Sequence, residues 1–593
     1  MSNAEELKKI IIKSHENDLA QQKVIFSDTK RLLVEAPAGY GKTHTMISKI
    51  AYSIACGEIT GFKKILALTF SVNAAHKIRK DVNEKLPPLL KNTSRKSSKI
   101  VYATNYHGLC FNILKKYGYL LHENLRRIEE LEKLEINYKN IHNYLSIAPY
   151  QALQQTVMIF DSEVKSYYNE TQENKAKRER FNSLLSNYNH IIITKFLPNE
   201  KITYNAIISL TIELLYKYPN IKNFYSKYFP FIIVDEYQDT NILNLKLLNS
   251  LITDSSKLLF LGDSMQRIYG FIGAVPNLLL KSIRHYNMEL IELEKNYRFE
   301  DNTILLDIDS FLRKKYKDLS YTQKINDINN IILNGSCPNE EAEKITELLS
   351  SLGKNDKTAI LFKQRGNNTN AIINYLDSLN IDYFYALFSE EDRDYLKFHE
   401  KALSIYIGIK ENKAYNSYSK KRSYICKKLK EYYQDELQNN IVISSLYRLL
   451  KIFFQQTQSH PNLDERYEII LEVLKNNSLK YYLNSVKDTL ILSTIHGAKG
   501  LEWDNVILAD VEAKTYCWSL CSKCHNKDKS NCFIDSNQIN DPEFKKHLLE
   551  ELSTFYVGIT RAKKNLYISY SDLSYQWDNL IPSGASCLLK MLC

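Results

Sequence analysis

The sequence predicts an α/β fold built from two separate parallel sheets, each carrying a mainly helical insertion. Three observations lead there: short apolar strands alternate with helix-like stretches, the strands fall into two groups, and a long charged, tyrosine-rich segment interrupts each group. The first group is Leu32 to Glu35, Ile65 to Thr69, Val101 to Ala103, Phe231 to Val234, Leu258 to Leu261 and Leu290 to Leu293. The second is Thr358 to Phe362, Leu490 to Thr494, Val506 to Ala509 and Leu566 to Ser569. The resulting division is a first lobe at 1–104 and 201–296 with an insertion at 105–200, and a second lobe at 297–387 and 486–593 with a reduced insertion at 388–485.

Composition narrows the class. A chain of 593 residues should hold about three or four domains of ordinary size, and 44% hydrophobic residues suffice to bury their cores. The net charge of +11 favours a polyanionic partner, although Lys is abundant along the whole chain and general composition explains part of the excess. The N-terminus MSNAEELKKIIIKSHEND has no signal-peptide core, and no apolar run approaches a bilayer span, so a cytoplasmic protein with no membrane association is expected.

The first chemical motif follows the first strand. Ala36, Pro37, Ala38, Gly39, Tyr40, Gly41, Lys42 and Thr43 lie between an apolar run and a helix-like stretch, the layout of a phosphate-binding loop, with His44 next in line. Gly39 and Gly41 let the backbone wrap phosphate oxygens, Lys42 supplies a cation, and the Thr43 hydroxyl suits Mg²⁺. Ala36 stands where the usual string has its first glycine. A second motif, Asp235 and Glu236, follows the strand FIIV; there Asp235 can hold Mg²⁺ and Glu236 can orient or deprotonate an attacking water. Gln266 follows the strand LLFL, placed to sense a γ-phosphate, and Tyr269 and Phe271 beyond it can stack on bases.

Taken together, VDEYQDT (234–240), GDSMQRIYGF (262–271), EKNYRF (294–299), STIHGAKGLEW (493–503) and YVGITRA (556–562) resemble the motifs of the UvrD/Rep family of superfamily 1 helicases, in family order and across nearly the whole chain. The resemblance implies two RecA-like lobes with subdomains 1A, 1B, 2A and 2B, and 3′ to 5′ movement on single-stranded or partly duplex DNA driven by ATP and Mg²⁺. It implies Gln21, sixteen residues before Pro37, as the reader of adenine, with Gln22 as the fallback. It further implies Tyr297 stacked on the adenine ring, Glu502 at the ribose, and Arg298 and Arg561 as arginine fingers. Thr69, Phe70, Tyr106, His107 and His496 join Tyr269 and Phe271 as DNA contacts. The alternative for Phe70 is a strand end that packs its ring into the core. Guanidinium groups neutralise charge on the transferred phosphoryl group, and because Arg561 belongs to the second group of strands, hydrolysis is expected to need closure of one lobe on the other.

Three positions depart from the family pattern. Ile272 stands where an arginine is usual, Asn244 replaces a common glutamine, and the second insertion is short, so translocation is the safer expectation than processive unwinding. With about thirty residues after Arg561, no fused nuclease is expected. In size it resembles the helicase component of Gabija-type antiphage systems, which gives a second reading: a DNA-sensing ATPase subunit controlling a separate nuclease partner in defence or repair.

Cys517, Cys521, Cys524 and Cys532 form a CxxxCxxCx₇C pattern. Four thiols so close in a reducing compartment suggest a structural Zn²⁺ site; an iron–sulfur cluster uses the same ligands, and free thiols are the alternative.

Overall fold

Parallel strands buried on both faces need apolar residues at odd and even positions alike, and the first group of strands meets that demand. The computed structural model describes residues 3–70, 72–90, 100–134, 147–167, 175–270, 273–353, 355–388, 392–410, 417–458, 463–475, 477–516, 540–576 and 579–593. The chain divides into two compact units, 1–297 and 298–593.

In the first unit, β1 (Arg31–Glu35), β2 (Ile65–Thr69), β3 (Val101–Asn105), β6 (Phe231–Val234), β7 (Lys257–Gly262) and β8 (Glu289–Glu292) form one parallel sheet in the order β3-β2-β6-β7-β1-β8. The intervening β4 (Glu132–Leu134) and β5 (Lys201–Thr203) pair separately. The two-residue period of a strand sorts its side chains between the faces. Leu33, Leu66, Leu68, Ile232, Val234, Leu258 and Phe260 join the core on one side. Leu32, Val34, Ile65, Ala67, Phe231, Ile233, Leu259 and Leu261 join the core on the other. Helices α1 (Asn3–Ser14), α2 (Leu19–Phe26) and α3 (Lys42–Ala55) lie at the second face, where Leu7, Ile11, Val24, Ile25, Met46, Ile47 and Ile50 are buried.

The first insertion is not an independent module. Its helices Ile147–Ser166 and Lys175–Ile191 bring Phe160, Phe181 and Tyr188 into the same apolar core as Leu33 and Leu66, with the Phe160 and Tyr188 rings stacked at 3.9 Å.

The second unit repeats the plan. β9 (Ile332–Gly335), β10 (Thr358–Phe362), β11 (Phe384–Ala386), β12 (Leu490–Thr494), β13 (Trp503–Leu508) and β14 (Ala562–Ser571) make a parallel sheet in the order β11-β12-β10-β13-β14-β9. The sequence had offered no strand at Ile332–Gly335 or Phe384–Ala386. Both are edge strands, short and partly exposed, so their apolar signal is weak. The insertion between β11 and β12 is helical: Arg393–Lys410, Tyr418–Tyr432, Ile441–Thr457 and Leu463–Lys475.

Just past β13 the second unit buries Asp510 and Glu512 together with Glu341 from the helix Pro338–Ser351, at 4%, 0% and 0% exposure. Glu341 Oε1 accepts from the Asp510 backbone N–H at 3.0 Å and the Ser569 hydroxyl at 2.6 Å, whereas Oε2 has no hydrogen-bond partner. Burial, with the Glu512 charge as a smaller cause, pushes the Glu341 carboxyl up to about 7. The folded protein therefore holds this proton more tightly than the unfolded chain, whose carboxyl titrates near 4.5. The proton's contribution to stability is complete below that value, falls as pH rises, and is gone above about 7. The urea midpoint of unfolding is expected to fall between pH 5 and pH 8, and Glu341→Gln, neutral at every pH, is expected to flatten that decline.

Candidate nucleotide site and strand-contacting face

A parallel sheet delivers its loops to the carboxyl edge of the strands, where doubly wound folds place their ligands. β1 leads into the phosphate loop, β6 into Asp235 and Glu236, β7 into Asp263 to Gln266, and the chain after β8 reaches Tyr297. With β7 lying between β6 and β1, these loops converge.

The phosphate loop begins as a continuation of the strand. The Ala36 N–H donates to the Gly262 carbonyl at 2.8 Å, and no left-handed backbone is needed there, which is why alanine replaces the first glycine. The demand falls instead on Gly39 and Gly41, at φ +86° and +78°. A Cβ on Gly41 would also lie 2.4 Å from Gln21 Nε2. Gly41 caps α3, which starts at Lys42, and Thr43 sits half-buried in its first turn. Unpaired N–H groups there favour an anion.

Lys42 is fixed by carboxylates. Its ammonium donates to Glu236 Oε1 and lies 3.4 Å from Asp235 Oδ1. Burial alone would lower its pKa; the charges of Asp235 and Glu236 outweigh burial and hold the ammonium firmly protonated. For Asp235 burial is the largest influence and raises the carboxyl, against the opposing pull of Lys42. Glu236 adopts a left-handed backbone, φ +53°, that turns its side chain back to Lys42, and its other oxygen accepts from Gln238 Nε2 at 2.6 Å. Gln238 Oε1 in turn accepts from the Asp263 N–H at 3.1 Å, and Asp263 Oδ2 accepts from Gln266 Nε2 at 2.8 Å. The expected γ-phosphate sensor is thus tied through Asp263 and Gln238 to the expected general base.

The base end is built from the first helices. Asp18 caps α2 by accepting from the Gln21 N–H at 2.8 Å, and its second oxygen accepts from the Tyr297 hydroxyl at 2.7 Å. The Tyr297 N–H donates to the Gly39 carbonyl at 2.9 Å, so the ring is pinned at both ends beside the loop. Gln21 Nε2 donates to the Tyr40 carbonyl at 3.2 Å, whereas the Gln22 amide is used on the His15 carbonyl at 2.9 Å. His44, exposed, stacks on His15 with ring centres 4.1 Å apart.

The strand-contacting residues divide. Phe70, after β2, and Tyr269, after β7, are half-buried and stack on each other at 5.3 Å, so the fold brings this aromatic pair together. Tyr106 is packed inward: its ring is 2% exposed inside the core and its hydroxyl lies 3.4 Å from Thr240 Oγ1. His107 is pushed down to about 4, chiefly by burial, so it is neutral and offers no charge to a phosphate. Thr69 is fully buried, its hydroxyl without a partner. Phe271 lies outside the described residues, as do Ile272 and the cysteines 517, 521, 524 and 532; among the described residues no metal-binding cluster of His, Cys, Asp or Glu occurs.

In the second unit, Arg298 donates to Glu502 Oε1 at 2.5 Å and to the Thr560 carbonyl. Glu502 is thereby engaged with a guanidinium. Arg561 is 3% exposed; its guanidinium donates to the carbonyls of Val557 at 2.9 Å and Leu501 at 3.3 Å and to the Thr560 hydroxyl at 2.9 Å. His496 is half-buried in the turn after β12, where the Gly497 N–H donates to Thr494 Oγ1.

Sequence reasoning missed Asp18, His15, Gln238 and Asp263. Asp18 was legible as an N-cap three residues before Gln21, and Gln238 lies inside the DEYQDT string; His15 had no signal before the fold placed it.

Two parallel sheets, one carrying a glycine-rich loop with its lysine locked to strand-end carboxylates, define a nucleotide-hydrolysing enzyme with two RecA-like lobes. Residues 17–287 match the UvrD/REP helicase N-terminal domain and residues 388–572 the UvrD-like helicase C-terminal domain. The chain belongs to the UvrD-like superfamily 1 helicases, a class of ATP hydrolases. It is 24% identical over 625 aligned positions to a probable DNA helicase II homolog of Mycoplasma genitalium, covering 93% of this chain and 84% of the relative. It is 24% identical over 656 positions to the ATP-dependent DNA helicase Rep of Buchnera aphidicola, covering 94% and 93%. Similarity to the ATP-dependent DNA helicase PcrA of Bacillus subtilis is 28% over 284 residues, covering 47% of this chain and 37% of the relative.

Glu236→Gln is expected to keep nucleotide binding and to cut ATP turnover roughly a hundredfold or more, the scale of a general base. Steady-state phosphate release together with a nucleotide-binding titration checks both halves. Lys42→Ala is expected to lose nucleotide affinity itself in the same titration.

Proposed function

We propose that the protein is a DNA-stimulated ATPase that moves 3′ to 5′ along single-stranded DNA, with strand separation secondary to translocation. The observation that carries this reading is the meeting, on one sheet edge, of the Lys42–Asp235–Glu236 cluster and the Phe70–Tyr269 aromatic pair. The first suits polyphosphate chemistry; the second suits bases unstacked from a strand. Adjacency of the two gives phosphate chemistry a short route to the strand.

Within this reading Gln21 and Tyr297 take the adenine, Lys42 takes the β- and γ-phosphates, and Glu236 activates the attacking water. The Thr43 hydroxyl and the Asp235 carboxylate are hard oxygen donors that suit Mg²⁺, which would neutralise phosphate charge there. Arg298 and Arg561 are proposed to reach the phosphates by lobe closure; Arg298 must first leave Glu502 and the Thr560 carbonyl, and Arg561 the Val557 and Leu501 carbonyls and the Thr560 hydroxyl. Support for DNA as the track comes from the relatives, which are named as DNA helicases.

Base stacking is worth about 1–3 kcal/mol. Tyr269→Ala and Phe70→Ala are therefore each expected to weaken single-strand affinity about tenfold in a fluorescence-anisotropy titration, with DNA-free ATP turnover little changed. Direction is tested by strand displacement on substrates with a 3′ or a 5′ single-stranded tail. Activity confined to the 5′-tailed substrate would overturn the proposed polarity, and stimulation of ATP turnover without movement on either would favour a regulatory ATPase.

A further inference from the structure

We propose that His15 sharpens the selectivity of the nucleotide site for adenine over guanine, by locking the side-chain amide of Gln21 in one of its two orientations. The proposal rests on the reading of Gln21 as the base contact and adds a residue that no family motif in the sequence pointed to.

A glutamine amide is pseudo-symmetric: rotating it by half a turn exchanges a donor for an acceptor at nearly the same positions. Left free, it gives adenine a matched donor and acceptor, yet it can also turn to donate its N–H to guanine's O6. Adenine presents N7 as an acceptor beside the N6 amino donor, whereas guanine presents two acceptors, N7 and O6. Holding the amide removes that second option and sharpens the discrimination.

Here both ends are held. Gln21 Nε2 faces the Tyr40 carbonyl at 3.2 Å, which can only accept, and Oε1 faces His15 Nδ1 at 2.5 Å. Because Oε1 can only accept, His15 must carry its proton on Nδ1. Its other nitrogen, Nε2, lies 2.8 Å from the Ser48 hydroxyl, which donates to the ring's lone pair and fixes that tautomer. Burial keeps the imidazole below its ordinary range, in line with a neutral ring. Reversing the amide would set oxygen against the Tyr40 carbonyl and give His15 Nδ1–H no acceptor. What Gln21 has left is one N–H and one lone pair, the complement of adenine's N7 and N6 amino group; guanine's O6 would meet the lone pair. The chain Ser48–His15–Gln21–Tyr40 is thus a directional relay whose free end reads the base. His15 is 2% exposed, and its loop is anchored by its own N–H to the Ile11 carbonyl at 2.9 Å and by the Asp18 N–H to its carbonyl at 3.2 Å.

Near-isosteric variants give the test. Asn at position 15 can place an N–H where Nδ1 stands; Asp places only an acceptor there. Full-length wild type, His15→Asn and His15→Asp are titrated with fluorescent N-methylanthraniloyl ATP and GTP, and the ratio of the two dissociation constants is read, with kcat and KM for ATP measured on single-stranded DNA. His15→Asn is expected to stay within about threefold of the wild-type ratio and His15→Asp to lose about tenfold or more, with KM for ATP rising more than kcat falls. An unchanged ratio in His15→Asp, or equal losses in both variants, would overturn the relay. Should His15→Asp fail to fold, Ser48→Ala reads the same lock from the far side: a partial fall in the ratio is expected, and no fall overturns the proposal. A wild type without adenine preference would instead strike at Gln21 as the base contact.

Discussion

The rest of the nucleotide site depends on one buried positive charge. Burial works against the charge on Lys42, at 14% side-chain exposure, and the carboxylates that face it outweigh burial; those carboxylates are poised where they are because parallel strands end there. The requirement runs both ways: Asp235 and Glu236 are like charges side by side, and removing the ammonium would leave them repelling in a desolvated pocket. Loop, strand end and helix start are therefore a single electrostatic unit. Its second circle, Gln238, Asp263 and Gln266, consists of side chains whose hydrogen bonds fix the orientation of the first.

The long-range plan was legible because burial on both faces writes continuous apolar runs, as in ILALT and FIIV, and because polar loops follow each run. Chemistry-bearing residues in those loops were legible for the same reason. What the sequence hid depended on partners distant in the chain. Tyr106 reads as a motif aromatic, yet its ring fills the core under β3 and β6, an outcome set by helix packing that no local pattern records. His15 lies thirty-three residues from Ser48, so only the fold discloses the bond between them. The edge strands Ile332–Gly335 and Phe384–Ala386 were lost because an edge makes weak demands on its residues.

The second unit uses its arginines differently from the way the first uses its lysine. Lys42 sits among carboxylates, whereas Arg561 is wrapped by carbonyls and a hydroxyl, and Arg298 is shared between a carboxylate and a carbonyl. Neutral acceptors hold a guanidinium less tightly than an ion pair does.

The left-handed backbone at Glu236 has a consequence for how this protein can change. A non-glycine residue at φ +53° carries roughly 1 kcal/mol of conformational strain. Glycine would relax it at the cost of the carboxylate. Glycine would also strip the buried Lys42 of one of its carboxylates, a larger loss than the strain it relieves, so selection for heat resistance alone would keep the strained residue.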